Sequence, residues 1–388
     1  MRKTLLLVLV LVCLMAAGSA FGTGTPEPNV GQALDLSQAS WDQIVAQAKQ
    51  EGQVAFYAWY FPDFFTEAAA AFEKQYGIKV SIVMGADSTT NTNKAVAEKD
   101  LATGTMDCMI LGGQSVKTAM DLGLFWGPIK GIIPDADKLA PSLWVVQEGV
   151  LTKGYCAPFH RNQTGLLYDP DKVKEPLPQT WEDLTAWIEA HPKQFGFCDP
   201  NKGGSGQAFV HTAIKELCGG LEKYSGDTEV VPSKVANWNL VWDWMQKHRD
   251  QVTITAGNND TYSRVNGGEL TLAVAWDDGV KDFINKGQMF ARAKMYIPKM
   301  GFAGGGDTMG VLKNSPHKAA ALVWIAHITS KEMQQKKFEM VNAYPARTDI
   351  TIPNVMLTEK DRANAIAWFP AAYKAYMISE FTKNVLMK

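Results

Sequence analysis

The stretch 156–170 passes from an apolar start through a polar centre to a second apolar run. Pro158 has no amide donor and holds the residue before it extended. Polar residues fill 161–164, apolar residues fill 166–168, and Asp169-Pro170 is a turn signal. The pattern predicts a strand that leaves one lobe and enters another, with its polar centre facing the gap between them. An ordinary strand with one solvated face gives the same pattern, so the flanking residues have to decide.

Before this stretch, short apolar runs alternate with amphipathic helical patterns. The apolar runs are predicted strands and cover 54–58, 78–83 and 106–111. The helical patterns between them give a β-α-β-α-β order, which predicts a parallel, doubly wound sheet with ligands beyond the carboxyl ends of its strands. The residues at those ends are therefore expected to face a ligand cleft: Trp59, Tyr60, Asp87, Ser88, Gly113, Gln114 and Ser115.

After the stretch, the same alternation resumes. Thr180 is a predicted helix cap with acidic residues in the turn that follows it. The run 270–275 is a predicted buried strand, 203–206 a predicted helix start, and the tail 361–388 is predicted to be helical. The cleft residues expected from this half of the chain are Arg161, Asn162, Ser205, Gly206, Trp276, Asp277 and Asp278.

Asp277 and Asp278 form an adjacent acidic pair, which is the composition of a general acid and base. Neighbouring residues at one strand end point in opposite directions, so at most one of the two is expected to face a cleft. A solvated turn before Gly279 explains the pair equally well.

Composition and the N-terminus place the chain outside the cytoplasm. With 388 residues the chain exceeds one ordinary core, so two lobes are expected, and a net charge of −2 gives no sign of a nucleic-acid-binding surface. Arg2 and Lys3 precede the apolar run 5–15 and then small residues, the pattern of a signal peptide over 1–22. A flexible leader follows over 23–33. Val12 before Cys13 is not the small residue of a lipoprotein signal, which favours a soluble periplasmic or secreted protein.

The remaining motifs do not indicate an enzyme. The glycines at 203–206 lack the lysine of a P-loop, and Gln207 breaks the Gly-x-Ser-x-Gly pattern of a hydrolase. Cys108, Cys156, Cys198 and Cys218 have no metal-site spacing and are expected to be buried free thiols. We therefore expect neither a metal nor another cofactor.

The order of several motifs resembles the periplasmic solute-binding proteins of ABC importers, in the group that includes polyamine, iron, thiamine and maltose binders. The resemblance covers nearly all of the chain beyond the leader, and no single motif carries it. The motifs lie at 72–80 (FEKQYGIKV), 106–110 (MDCMI), 123–128 (GLFWGP), 165–173 (GLLYDPDKV), 178–184 (PQTWEDL), 268–276 (GELTLAVAW) and 319–324 (AAALVW).

The resemblance implies a two-lobed α/β clamshell, the type II periplasmic-binding-protein fold, that holds a small solute between lobes joined by hinge strands. Lobe 1 would comprise 34–157 with 299–338, and lobe 2 would comprise 158–298 with 339–388. The protein would act as a monomer and deliver its solute to a membrane permease. Closure of the lobes on the ligand is a hinge motion.

The polyamine-binding branch also suggests a ligand charge. By resemblance, Trp59 and Trp276 supply rings, Asp307 supplies a carboxylate for an amine, and Tyr344 lies in a loop that returns to the cleft. A cation gains from both rings and carboxylates. Gly279 departs from this pattern, since that branch has an acid there.

Alternatives to an amine-bearing solute stay open. Tyr60 replaces a small polar residue or an acid, and Arg161 together with the helix start at 203–206 would suit an anionic solute. A sugar, thiamine or iron ligand, a ligand sensor for a membrane receptor, and a transferase or lyase in the same cleft are the other hypotheses.

Overall fold

Two β-sheets flanked by helices organise the chain in the computed structural model, which describes residues 34–388. Within that range, Leu36–Lys388 form one compact unit, and the separate unit Met1–Asp35 is described only at its last two residues. The predicted signal peptide and leader therefore lie outside the described residues.

The strands of the described chain are β1 (Gln53–Ala58), β2 (Lys79–Met84), β3 (Cys108–Leu111), β4 (Phe125–Trp126), β5 (Val146–Gln147), β6 (Val150–Leu151), β7 (Cys156–Pro158), β8 (Thr164–Tyr168), β9 (Phe195–Cys198), β10 (Val252–Thr255), β11 (Leu272–Trp276), β12 (Lys294–Tyr296) and β13 (Thr308–Leu312).

The helices are α1 (Trp41–Glu51), α2 (Pro62–Tyr76), α3 (Ser88–Glu98), α4 (Gln114–Asp121), α5 (Trp181–Ala190), α6 (Gly204–Cys218), α7 (Pro232–Val235), α8 (Asn239–Lys247), α9 (Asn258–Gly267), α10 (Asp277–Asn285), α11 (Lys318–Ile328), α12 (Lys331–Val341), α13 (Glu359–Arg362) and α14 (Ala371–Phe381).

The first sheet has the order β2-β1-β3-β13-β4, with β7 also paired to β13. β1 runs parallel to β2 and β3, which confirms the doubly wound pattern predicted from the sequence. β13 runs antiparallel to β3 and β7 and brings the chain back from its second half.

The second sheet has the order β10-β9-β11-β8-β12. β9, β10 and β11 are parallel, whereas β8 is antiparallel to β11. Because β7 lies in the first sheet and β8 in the second, the stretch 156–170 passes between the two sheets as predicted.

Each sheet has its own buried core. Phe56, Phe72 and Trp324 pack beneath the first sheet, and Phe195, Phe209 and Trp238 beneath the second. Fully burying an aromatic side chain of this size contributes about 2–3 kcal/mol relative to exposure. Two separate cores of this kind stabilise two lobes rather than one.

Helix ends follow the capping signals of the sequence. Thr180 accepts from the Asp183 amide and Asp183 accepts in return from the Thr180 amide, a capping box that fixes the start of α5. Gly77 ends α2 with φ +71°, a left-handed conformation that costs glycine little. None of the helices in 34–388 is long and apolar enough to cross a membrane.

Two predictions from the sequence are corrected by the structure. The tail is not continuously helical, because 363–370 is irregular between α13 and α14. Asp277 and Asp278 are not strand residues, because β11 ends at Trp276 and α10 starts at Asp277. The prediction of free thiols is confirmed, since the described cysteines Cys108, Cys156, Cys198 and Cys218 are buried and unpaired in disulfides.

Candidate functional site

Three chain segments cross between the sheets and position the polar residues of the candidate site. The Phe159 amide donates to the Asp307 carbonyl at 2.8 Å, and the Gly305 amide donates to the Asn162 carbonyl at 2.9 Å. The Arg161 amide donates to the Tyr344 carbonyl at 3.0 Å and joins the third segment. The segment between β7 and β8 is thus tied to both neighbours, which places Asn162 and Asp307 at one crossing.

Asp307 lies at this crossing with its carboxylate turned towards the first lobe. The Tyr60 hydroxyl donates to its Oδ2 at 2.5 Å, and His160 Nε2 lies 3.7 Å from the same oxygen. A Cβ added to Gly112 would lie 2.0 Å from Oδ1, so only glycine leaves room for this carboxylate. Burial raises the pKa of Asp307 to about 8. The Tyr60 hydrogen bond lowers this pKa, and the neighbouring charges of Glu148 and Asp278 raise it further.

Asp278 approaches from the second lobe in the first turn of α10. The Asn162 side chain hydrogen-bonds its carboxylate, and the Gly279 amide donates to its Oδ1 at 2.8 Å. Burial, followed by the charge of Asp277, raises the pKa of Asp278 to about 7 despite these hydrogen bonds. The second lobe therefore supplies a carboxylate that is costly to ionise.

Asp277 faces away from Asp278 and has a structural role. Its Oδ1 accepts from the Gln163 amide at 2.8 Å, and its Oδ2 pairs with Arg362. The expectation that the two acids diverge agrees with this geometry, although the start of a helix, not a strand end, separates them.

Asp278 and Asp307 are not held by a direct ion pair with a charged basic residue of 34–388. In the part of the chain that the structure describes, neither forms an ion pair with a lysine or an arginine. The charge of Lys337 lowers the pKa of Asp307, but Lys337 donates to the Phe159 carbonyl and to Gln334 Oε1 rather than to Asp307, and burial holds its own pKa well below the usual range. Burial likewise holds the pKa of His160 well below 6.5.

Glu148 is a third carboxylate, which the sequence analysis did not identify. It lies in the turn between β5 and β6 with φ +45°, a conformation uncommon for residues other than glycine. Its Oε1 lies 3.0 Å from where a Cβ on Gly305 would be, and its Oε2 accepts from Lys374 Nζ at 2.5 Å. The alternation of apolar residues around Glu148-Gly149 predicts a hairpin, but not which lobe its tip contacts.

Aromatic rings border the carboxylates. Trp276 lies against the start of α6, since a Cβ on Gly204 would be 2.8 Å from its Cζ2, and it also approaches Gly305. Trp59 and Tyr60 form an edge-to-face pair with ring centroids 4.6 Å apart. Tyr60 and Trp276 thus bring aromatic rings to the carboxylates, and rings together with negative charge attract an alkylammonium ion.

Comparison with known proteins identifies the family. Residues 67–363 match the family model of the bacterial extracellular solute-binding proteins. The chain belongs to this family. No curated protein sequence matches the chain.

Solved structures of solute-binding proteins share the two-lobed fold. One of them is a protein of Bordetella parapertussis that is described as an extracellular solute-binding protein. It superposes with a TM-score of 0.67 at 16% identity, covering 87% of this chain and 99% of that one. A spermidine/putrescine substrate-binding protein of Streptococcus pneumoniae gives a TM-score of 0.66 at 15% identity, covering 86% and 99%. Iron-bound HitA of Pseudomonas aeruginosa gives 0.60 at 19% identity, covering 84% and 98%.

The protein is therefore an extracellular solute-binding protein, located in the periplasm or secreted, and not an enzyme. Its ligand is a small solute. At these low identities the likeness shows the fold, and the three neighbours do not share one solute.

Within this solute-binding protein, some predicted site residues lie at the carboxylates and others have different partners. Asp87 caps α3 by accepting from the Thr90 amide at 2.6 Å, which lowers its pKa. Ser205 donates to Asn258 Oδ1 at 2.8 Å, and the Gly206 amide donates to Cys198 Sγ at 3.1 Å, so both support the packing of α6 on β9. Their roles in ligand binding stay predictions.

The remaining predicted residues lie at the margins. The Gly112 amide donates weakly to Ser88 Oγ at 3.5 Å, and Gly113 with φ +53° precedes α4, where Gln114 and the buried Ser115 follow. Tyr344 packs against two guanidinium groups, with Arg161 4.9 Å and Arg362 4.0 Å from its ring centroid. These residues likewise stay predicted ligand contacts.

Proposed function

We propose that the protein captures an amine-bearing cation between its lobes for delivery to the permease. The observation that carries this proposal is the pair Asp278 and Asp307, two buried carboxylates without a lysine or arginine partner in residues 34–388. An uncompensated buried carboxylate is costly. A cationic solute removes that cost on binding and gains charge pairing in a site of low dielectric constant.

The aromatic residues support an alkylammonium ion over a bare metal ion. Trp276 borders one side of the site, and Trp59 and Tyr60 belong to the first lobe. Among the described residues, no group of three or more His, Cys, Asp or Glu side chains is placed to share a metal ion. Aromatic rings beside the carboxylates favour an organic ammonium ion, which gains from both.

An anionic solute fits the carboxylates less well. Arg161 uses its Nε to donate to the Pro345 carbonyl at 3.0 Å and lies 3.8 Å from Glu359, so its charge is partly engaged. The glycine-rich start of α6 faces Trp276 at Gly204 and Cys198 at Gly206. A sugar phosphate would have to bring its charge next to Asp278 and Asp307.

We further propose the lobe boundaries 34–157 with 299–338 and 158–298 with 339–388, a monomeric state, and closure of the lobes on the solute. Small-angle scattering with and without a bound solute tests the monomeric state and the closure. We expect a monomer that becomes more compact on binding. An unchanged radius of gyration at saturation would contradict hinge closure.

A thermal-shift screen of the mature protein tests the ligand class. The panel comprises monoamines, diamines, polyamines, thiamine, amino acids, sugars and organophosphates at pH 9, where both carboxylates are ionised. A solute at 100 times its Kd adds about 2.7 kcal/mol of stability. We expect amines to raise the melting temperature in the native protein and not in Asp307→Asn. Stabilisation by sugars or anions alone would overturn the proposal.

A further inference from the structure

A cavity of about 500 Å³ lies beside the crossing segments and adjoins the candidate site. The lining residues that matter here are Gln147, Glu148, Arg161, Asn162, Gly305 and Arg362. Glu148, Asn162 and Gly305 also border the carboxylates described above. The cavity and the carboxylate site therefore share these three residues.

Several cavity-lining polar groups have no hydrogen-bond partner within residues 34–388. Gln147 is fully buried, and both its Nε2 and its Oε1 are unpaired. Arg362 Nε and Asn162 Oδ1 are unpaired as well. Buried polar atoms without partners are rare in native proteins and call for an explanation. Their concentration around one cavity indicates that a polar ligand group completes them.

The guanidinium groups of Arg161 and Arg362 define the chemistry of one end of the cavity. Arg362 Nε can only donate, so it requires an acceptor. Arg161 and Arg362 both pack on Tyr344, and Arg362 lowers the pKa of Arg161 in addition to the larger effect of burial. Arg362 also pairs with Asp277, and Arg161 lies 3.8 Å from Glu359, so an anionic oxygen group would accept from the N–H groups that these carboxylates leave unused. Gln147 Nε2 can donate to the same group.

The other end of the cavity, at Glu148 and Asn162, carries hydrogen-bond acceptors instead of donors. Asn162 Oδ1 and Glu148 Oε1 lie 3.2 and 3.0 Å from the position of a Cβ on Gly305. Both atoms are acceptors that approach one point. This point therefore favours a group with N–H donors, as do Asp278 and Asp307 next to it.

We infer that the solute is a zwitterion whose ammonium group lies among Asp278, Asp307 and Glu148 and whose anionic oxygen group enters the cavity at Gln147 and Arg362. The class is an ω-amino acid or its sulfonate or phosphonate analogue. This inference rests on the proposed function, because the ammonium end uses the same carboxylates. It adds the anionic end, which distinguishes the solute from a diamine or a polyamine.

Calorimetry with matched solutes tests the inference on the mature protein. Each series has one chain length, from three to six carbons, and compares the ω-amino acid with the diamine and the monoamine. We expect the best ω-amino acid to bind at least tenfold more tightly than the monoamine of its length. Equal or tighter binding of the diamine would overturn the inference.

Substitutions at Gln147 provide a second, independent readout. Gln147→Leu removes both amide atoms at similar volume and should reduce ω-amino acid affinity roughly tenfold more than monoamine affinity, the effect of one lost hydrogen bond to a charged group. Gln147→Glu places a negative charge in the cavity and should shift the preference towards the diamine. Equal losses for all three solutes in both variants would show a merely structural role.

The outcomes separate the two proposals. If amines bind but the ω-amino acids have no advantage, the inference fails and the amine-binding function stands. If only neutral sugars bind, both fail.

Discussion

Asp278→Asn is expected to stabilise the free protein while weakening solute binding. The pKa of Asp278 rises from 3.8 to about 7 because of burial and the neighbouring Asp277. Asparagine keeps the shape and an oxygen for the Asn162 and Gly279 hydrogen bonds but carries no charge. The substitution therefore removes the cost of ionising this site together with its attraction for a cation.

The magnitude follows from the difference in pKa between the folded and unfolded protein. One pKa unit corresponds to about 1.4 kcal/mol, so the shift of Asp278 sets an upper bound of about 4 kcal/mol. The N-terminus of α10 favours the charge by only about 0.3–1 kcal/mol, so burial prevails. Because the folded pKa is the higher one, stability is intact below about pH 4 and is lost as the pH rises through about 7.

Melting curves from pH 4 to pH 8.5 check this prediction. At about 1–2 °C per kcal/mol for a protein of this size, Asp278→Asn should melt about 2–5 °C above the native protein at pH 8 and at the same temperature at pH 4. Asp282→Asn removes the same charge from a half-buried position of α10, where Asp282 pairs with Lys286 at 2.6 Å, and should show no such pH-dependent gain. A lower melting temperature for Asp278→Asn at pH 8 would refute the reasoning.

Further substitutions test the other parts of the site. Alanine at Trp59 or Trp276 should weaken solute binding tenfold or more in calorimetry, since aromatic burial dominates small sites, and unchanged affinity in both would mean the cleft lies elsewhere. Gly305→Ala adds a methyl group 3.0–3.2 Å from Glu148, Trp276 and Asn162. It should also reduce solute affinity at least tenfold. In urea titrations, Gln147→Leu should leave the free energy of unfolding unchanged or raise it by up to about 1 kcal/mol, because the native amide is unpaired. Gln334→Leu should lower it by about 2–3 kcal/mol, because the native amide is hydrogen-bonded. A larger loss of stability in Gln147→Leu than in Gln334→Leu would contradict the assignment of unpaired groups.

The fold could be predicted from the sequence because its signals are local. Pro158 and the polar centre 161–164 mark the crossing between sheets, and the cap at Thr180 marks the start of α5. The apolar runs at β1 and β3 are short and continuous, as expected for strands buried in a parallel sheet, whereas the edge strand β2 interrupts its apolar residues with Lys79 and Ser81.

Parts of the site could not be predicted because they depend on contacts far apart in sequence. Glu148 reaches the site only because the β5–β6 hairpin lies against the start of α14, where a Cβ on Gly149 would be 2.3 Å from the Phe369 carbonyl. The different roles of Asp277 and Asp278 follow from the start of α10 and from Arg362, which lies 85 residues away in the chain. No local pattern contains this information.

The helix prediction for the tail failed over 363–370 for the same reason, since contacts distant in sequence decide the conformation there. Its aromatic spacing favours a helix, but Trp368 Nε1 donates to the Gly304 carbonyl at 2.7 Å, and the Phe369 amide donates to His211 Nε2 at 3.2 Å. Pro370 then occupies the N-cap position before α14 and disfavours helix in the residue before it. Tertiary hydrogen bonds thus override the helical pattern and bring 363–368 to the cavity.

Proton release on solute binding tests the central claim, a cation held by two uncompensated carboxylates, most directly. At pH 7, pKa values of about 7 for Asp278 and about 8 for Asp307 leave both partly protonated, and an ammonium ion should expel about one proton. Calorimetry of an amine in buffers of different ionisation enthalpy measures this number. We predict release of about one proton at pH 7, near zero at pH 9, and a smaller value in Asp278→Asn. Tight binding of the amine with no proton release at pH 7 would contradict the account.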